Sequence, residues 1–153
     1  MDGAEIHEAV VTLLALDRAG VEIVCAAPDV EQYHTVNHLT GNPVEYDNRN
    51  VLLESARIAR REIIPLSQLK IEDVDAVIFP GGFGVAKNLC TFGIDGPDCE
   101  IDPDAVRVII DTLKAKKPLG VMCIAPALAA RAAKGTEFQL TLTIGSDTGT
   151  CPY

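Results

Sequence analysis

The chain has 153 residues, 48% of them apolar and 5% aromatic, enough to bury one core of Val, Ile, Leu and Ala without cross-links. A formal net charge of −9 argues against nucleic acid and anionic membrane surfaces as partners. The five cysteines, Cys25, Cys90, Cys99, Cys123 and Cys151, are odd in number and include no CxxC pair, which argues for a reducing compartment and at least one free thiol.

In chain order, Ile6, Ala9, Val10, Leu13 and Leu14 recur at helical spacing between Gly3 and about Arg18, and Gly20 ends the run. Val21 to Ala27 reads as a strand stopped by Pro28. Val30 to Asn48 is polar, carries Gly41-Asn42-Pro43 and reads as an excursion. Asn50 is placed to cap a helix from Val51 to Arg60. Asp75 to Phe79 reads as a second strand, followed by Pro80-Gly81-Gly82-Phe83-Gly84. Pro103 opens a helix through Lys114, Leu119 to Met122 is a third strand, Ala125 to Ala133 a helix, and Leu140 to Ile144 a fourth strand. Strands separated by helices imply parallel pairing and an α/β sandwich in one domain spanning residues 1–153. No transmembrane run or targeting segment is evident. Because the pattern opens on a helix and stops soon after a strand, the sheet is expected to lack a strand at each end.

Cys123 stands between the third strand and the following helix. A sharp strand-to-helix turn holds its side chain over the sheet edge and aims the first helix N–H groups at whatever that side chain holds. A helix N-terminus also favours the thiolate, the reactive form. The competing reading is a buried small hydrophobe, since Cys is among the most often buried residues. The loop from Phe79 to Gly84 belongs to the same sheet edge, where ligands of such folds sit. With neither GxGxxG nor a Walker lysine it is a weak phosphate cradle. Alone it is a turn; beside a Cys elbow it suits an oxyanion hole.

Several segments carry a family resemblance: Gly3 to Ala9, Asn37 to Gly41, Arg49 to Leu52, Glu54 to Arg60, Pro80 to Gly84, Ala86 to Leu89 and Met122 to Ala127. Together they resemble the ElbB group, called enhancing lycopene biosynthesis protein or isoprenoid biosynthesis glyoxalase. That group belongs to the ThiJ/PfpI superfamily, with the class I glutamine-amidotransferase-like fold. The resemblance runs from about Asp2 to Asp147. It implies a flavodoxin-like three-layer α/β sandwich with a mainly parallel sheet, and commonly a homodimer. It implies that Cys123 is the elbow nucleophile, that Glu8 lies beside the thiol, and that Gly81, Gly82 and the Ile124 amide are the oxyanion donors. Residue patterning alone reads Glu8 as a solvated surface carboxylate, because it lies off the apolar stripe of its helix.

The chain departs from the superfamily pattern in instructive places. Amidotransferases carry His directly after the nucleophile, where this chain has Ile124, and no His follows Cys123 at all. Amide hydrolysis is therefore disfavoured. His7 points away from Glu8 on a helix, and His38 reads as a loop-bracing residue with a lesser catalytic reading. The family's leading Ser-Gly-Cys-Gly-type loop is absent, and the step from Thr150 to Cys151-Pro152 looks like a join.

Two function classes follow. The first is a glutathione-independent glyoxalase, a lyase that turns a small dicarbonyl such as methylglyoxal or glyoxal into a hydroxy acid without a cofactor or metal. The resemblance links it to isoprenoid biosynthesis, in bacterial cytoplasm or the mitochondrial matrix. The second is a redox-responsive regulatory or binding protein with an oxidisable Cys123. The acidic run Asp95, Asp98, Cys99, Glu100, Asp102 and Asp104 reads as a solvated loop rather than a metal site. Cys25 reads as a core residue, while Cys90 and Cys99 flank a loop with nothing in the sequence to show that they meet.

Overall fold

The computed structural model describes residues 2–60 and 62–143. Helix α1 spans Ile6–Arg18, and Glu5 caps it by accepting from the Glu8 N–H. Strand β1, Cys25–Ala27, is shorter than expected, because Val21 and Val24 are half-exposed and enter no ladder. The excursion carries a two-rung antiparallel ribbon of β2, Val36–Asn37, and β3, Asn42–Pro43. Asn50 caps α2, Val51–Ala59, as its side-chain oxygen accepts from the Leu53 N–H at 2.9 Å. Strand β4, Ile63–Pro65, carries no strand signal of its own in the sequence; it pairs parallel with β1. Strand β5, Val77–Phe79, leads into the glycine loop and a five-residue π-helix, Val85–Leu89. A single turn, α3 at Phe92–Asp95, precedes α4, Pro103–Lys114. Strand β6, Leu119–Val121, pairs parallel with β5 in register Val77 to Leu119 and Phe79 to Val121, and α5, Ala125–Ala133, follows.

The architecture is the flavodoxin-like α/β sandwich. The two parallel ladders, β1 with β4 and β5 with β6, remain separate among the described residues. Helix α2 packs on β1 and β4, while α4 and α5 pack on each other and on β6. The core is aliphatic, with Val108, Ile109 and Leu128 fully buried beside Phe79 and Val85. Each such aliphatic chain contributes roughly 1.5–3 kcal/mol by leaving water. Arg107 bolts α4 to the preceding connection, donating to the carbonyls of Leu66 at 2.7 Å and Leu69 at 2.8 Å.

Two expectations are corrected. Leu140–Thr143 forms no strand, because none of its residues enters a ladder; Ile144, Cys151 and the join beside it lie outside the described residues. The apolar stripe of α1 faces the core only in part: Ala9 is buried and Leu13 half-buried, but Ile6, Val10 and Leu14 are 63%, 46% and 45% exposed. Its sheltered side runs instead through Glu5, Glu8, Ala9, Thr12, Leu13 and Leu16, a face at helical spacing that includes both carboxylates. No helix of the described residues is long and apolar enough to cross a membrane.

Candidate active site

The elbow forms where the β6 ladder ends. The Met122 N–H still donates to Phe79 O at 3.1 Å, continuing the pairing with β5 by one rung. The next residue, Cys123, takes φ 56°, a left-handed conformation that costs a non-glycine residue about 1–3 kcal/mol and clusters at functional sites. The Ala125 N–H then closes the turn onto Met122 O at 2.8 Å, and α5 begins. Backbone geometry thus turns Cys123 out of the core, and its thiol is free and exposed. Ile124 packs its side chain against the core, so it offers the site an amide and no base.

The glycine loop meets the elbow at backbone distance. A Cβ on Gly81 would overlap Cys123 Cβ and lie 2.7 Å from Glu8 Oε2 and 2.9 Å from Met122 O. The thiol-bearing residue and the Glu8 carboxylate therefore bracket one glycine, which leaves no room for a side chain. Gly82, at φ 104°, faces the segment before α1: a Cβ there would overlap Glu5 N and lie 2.7 Å from Gly3 O. Gly82 is thus required by backbone-on-backbone packing and Gly81 by the Cys123 and Glu8 side chains, causes that local patterning does not reveal.

The clamp between α1 and this loop is two-sided. Glu5 N donates to Gly81 O at 2.9 Å, and the Gly81 N–H donates to Glu8 Oε2 at 2.7 Å. The second bond fixes the carboxylate beside Cys123. It also engages the Gly81 amide, one of the expected oxyanion donors. The Gly82 and Ile124 amides make no hydrogen bond among the described residues. Glu5 holds the first turn of α1, its Oε2 accepting from the Glu8 N–H at 2.8 Å and its Oε1 bonded to His7 Nδ1 at 2.9 Å. The His7 contact, with the Glu8 N–H second, keeps the Glu5 carboxyl below its usual value, and the same contact raises His7. His7 is on the exposed side of the helix.

A second knot ties the excursion to the same N-terminal segment. Buried Asp2 accepts from the Val36 N–H at 2.6 Å and pairs with His38 Nε2 at 2.9 Å. Burial pushes the Asp2 carboxyl up, but the Val36 and His38 hydrogen bonds, with nearby positive charge, together hold the group below its usual value. Asn88 on the π-helix donates to Asp2 O at 3.2 Å and accepts from the Tyr33 N–H at 2.9 Å. His38 is thus a brace for its loop. Nothing in local periodicity marks Asp2 or Asn88, whose partners are 34 and 55 residues away.

The remaining candidates separate. Among the described residues no group of three or more His, Cys, Asp or Glu is placed to hold a metal ion. Within the acidic run, Asp102 caps α4 by accepting from the Ala105 N–H, and Asp104 pairs with Arg107 at 3.1 Å. Arg57 pairs with Glu54 at 3.5 Å along α2. Cys25 is half-buried in β1, and burial, helped by Glu62, pushes its thiol up.

No family model matches the chain. It is 50% identical to the mitochondrial ES1 protein homolog of Rattus norvegicus, over 99% of this chain and 57% of that protein. It is 48% identical to the mitochondrial glutamine amidotransferase-like class 1 domain-containing protein 3 of Homo sapiens, over 99% of this chain and 56% of that one. The chain spans little more than half the length of these curated relatives. Among solved structures it is similar to an isoprenoid biosynthesis protein with amidotransferase-like domain from Ehrlichia chaffeensis. That match has a TM-score of 0.81 at 40% identity, over 88% of this chain and 61% of that one.

Proposed function

We propose that this chain, whose fold is that of the class I glutamine-amidotransferase-like proteins, acts as a glutathione-independent glyoxalase on small dicarbonyls such as methylglyoxal. The observation that carries the reading is the Gly81 peptide, which seats the Glu8 carboxylate at 2.7 Å beside the left-handed, exposed Cys123. Cys123 Sγ attacks the aldehyde carbon to give a hemithioacetal. The uncommitted Gly82 and Ile124 amides are the donors available to the developing oxyanion. Glu8 takes the proton from the former aldehyde carbon and returns it to the neighbouring carbon through an enediol, a general acid–base role. Hydrolysis of the resulting thioester releases lactate and the thiol. Ile124, in place of the histidine of amidotransferases, supplies no base at its own position, which counts against amide hydrolysis.

The mitochondrial relatives support a mitochondrial setting, and the similarity to an isoprenoid biosynthesis protein supports a link to isoprenoid metabolism. The exposed Ile6, Val10 and Leu14 stripe suits a second copy of the chain, as expected of a homodimer.

The test is lactate formation from methylglyoxal without glutathione, by wild type, Cys123→Ala and Glu8→Gln. Turnover in wild type that both variants lose supports the reading. Absence of turnover in wild type, with Cys123 still oxidised by peroxide, favours the redox-responsive alternative.

A further inference from the structure

Cys90 and Cys99 meet in the fold. Cys90 bridges antiparallel to Ile101, the Thr91 N–H donates to Glu100 O at 2.9 Å, and the Asp102 N–H donates to Leu89 O at 2.9 Å. In this register Cys90 and Cys99 fall on the same face as diagonal neighbours. Both are buried, at 3% and 1% exposure, and both thiols are free. The Cys99 thiol is among the groups that act electrostatically on the Cys90 thiol, whose own hydrogen bond goes to Val85 O at 3.2 Å. The residues between them form one short turn and a 3-10 turn, with Gly93, Ile94, Asp95, Pro97 and Asp98 exposed.

We propose that Cys90 and Cys99 are a latent disulfide pair, which a hydroperoxide joins into one intramolecular bond across the 91–98 segment. Access comes from one side. Cys99 lines an open groove of about 500 Å³, with Phe92, Pro97 and Arg131 among the other walls. A small peroxide that reaches the Cys99 sulfur takes two electrons from it, leaving as water or an alcohol and converting the thiol to a sulfenic acid. The Cys90 sulfur then attacks the Cys99 sulfur; the new S–S bond forms, and the hydroxyl leaves with the Cys90 proton as water. Burial lifts the Cys90 thiol to about 11, with its Cys99 neighbour adding to the lift and the Phe92 N–H opposing it. Cys90 is therefore a poor nucleophile toward reagents in bulk water, and it reacts here because its target is held against it.

The bond would join the two elements that leave the candidate site. Cys90 ends the π-helix that begins after Gly84. The Cys99 carbonyl accepts from Arg131 Nε of α5 at 2.7 Å, and α5 begins at the elbow. The inference does not depend on the glyoxalase reading.

The experiment uses the full chain carrying Cys123→Ser, so that the exposed thiol does not consume the oxidant. After treatment with excess hydrogen peroxide, the protein is unfolded, alkylated and digested with trypsin. Both thiols lie on one tryptic peptide, from Asn88 to Arg107. The expected result is loss of two hydrogens from that peptide together with both alkylation sites, reversed by dithiothreitol. A Tm about 5 °C higher than the reduced form is expected, and Cys90→Ser removes that rise. Recovery of both residues as free thiols, as separate sulfinates, or linked to Cys25 or Cys151 overturns the proposal. A rise in Tm that persists in Cys90→Ser overturns it equally.

Discussion

Cys123 and Cys90 carry the same side chain on the connections that leave two paired strands, β6 and β5, yet the fold treats them oppositely. At the elbow, a left-handed backbone turns the thiol outward beside a carboxylate and two uncommitted amides. At the end of the π-helix, an extended residue turns its thiol inward onto Val85 O at 3.2 Å, and burial raises it to about 11. Exposure of the thiol here is set by one backbone torsion and what lies behind it, not by the residue type.

The largest effect expected from this contrast is in turnover. Cys123→Ala should lower the rate of lactate formation by at least about 10³-fold, while Cys90→Ala and Cys99→Ala stay within a few-fold. Equal losses at the buried positions, measured by steady-state kinetics, would erase the distinction between the two regions. The second effect is in geometry. Gly81→Ala places a methyl group against Cys123 and Glu8 and should lower turnover by about 10²-fold, the scale of a misplacement near 1 Å. A variant of full activity would show that the Glu8 seat on the loop is dispensable.

The third effect is in labelling. At pH 8, iodoacetamide should modify Cys123 at least about 10²-fold faster than Cys90, since a thiol at about 11 is only ~10⁻³ ionised there. The Cys90 rate should climb about tenfold per pH unit up to that value, as peptide mass spectrometry would record. The smallest effect is in stability. Asp2 is held below its ordinary 3.8 in the folded state, so between the two values the unfolded chain binds more protons. Its contribution is complete above pH 3.8 and is lost as pH falls through the lower, folded value. Asp2→Asn should cost about 1–2 kcal/mol at pH 7, and the gap from wild type in urea melts should close below pH 3.8. A gap constant with pH would remove the carboxylate from the account.

Much of this frame is legible in the sequence because its signals are local. Pro103 marks the start of α4, Asn50 caps α2, and Ala125 to Ala133 marks α5, each through a proline, a cap or small-residue patterning within a few positions. The elbow is legible too, as a short apolar strand running into a helix at Cys123. Strand β4 is not: Ile63-Ile64-Pro65 is too short to alternate and ends in proline, and only its pairing with β1 makes it a strand. Leu140 to Thr143 alternates apolar and β-branched residues but finds no partner strand among the described residues, so pattern alone misleads. The inward face of α1 is hidden because Ile6, Val10 and Leu14 of its apolar stripe are exposed, while Glu5 and Glu8 turn toward the glycine loop. What holds them there is a peptide 73 residues further on from Glu8, beyond the reach of any window. The meeting of Cys90 and Cys99 likewise depends on a register that no local pattern states.

That long reach also has a kinetic meaning. The acid is made near the start of the chain, the peptide that seats it comes 73 residues later, and the thiol comes later still. Closing so large a loop is among the slow steps of folding, paid in chain entropy before any contact rewards it. A half-folded chain therefore carries the elbow thiol without the carboxylate docked beside it. Glu8-dependent chemistry at Cys123, followed during refolding, would serve as a clock for the docking of α1 on the glycine loop.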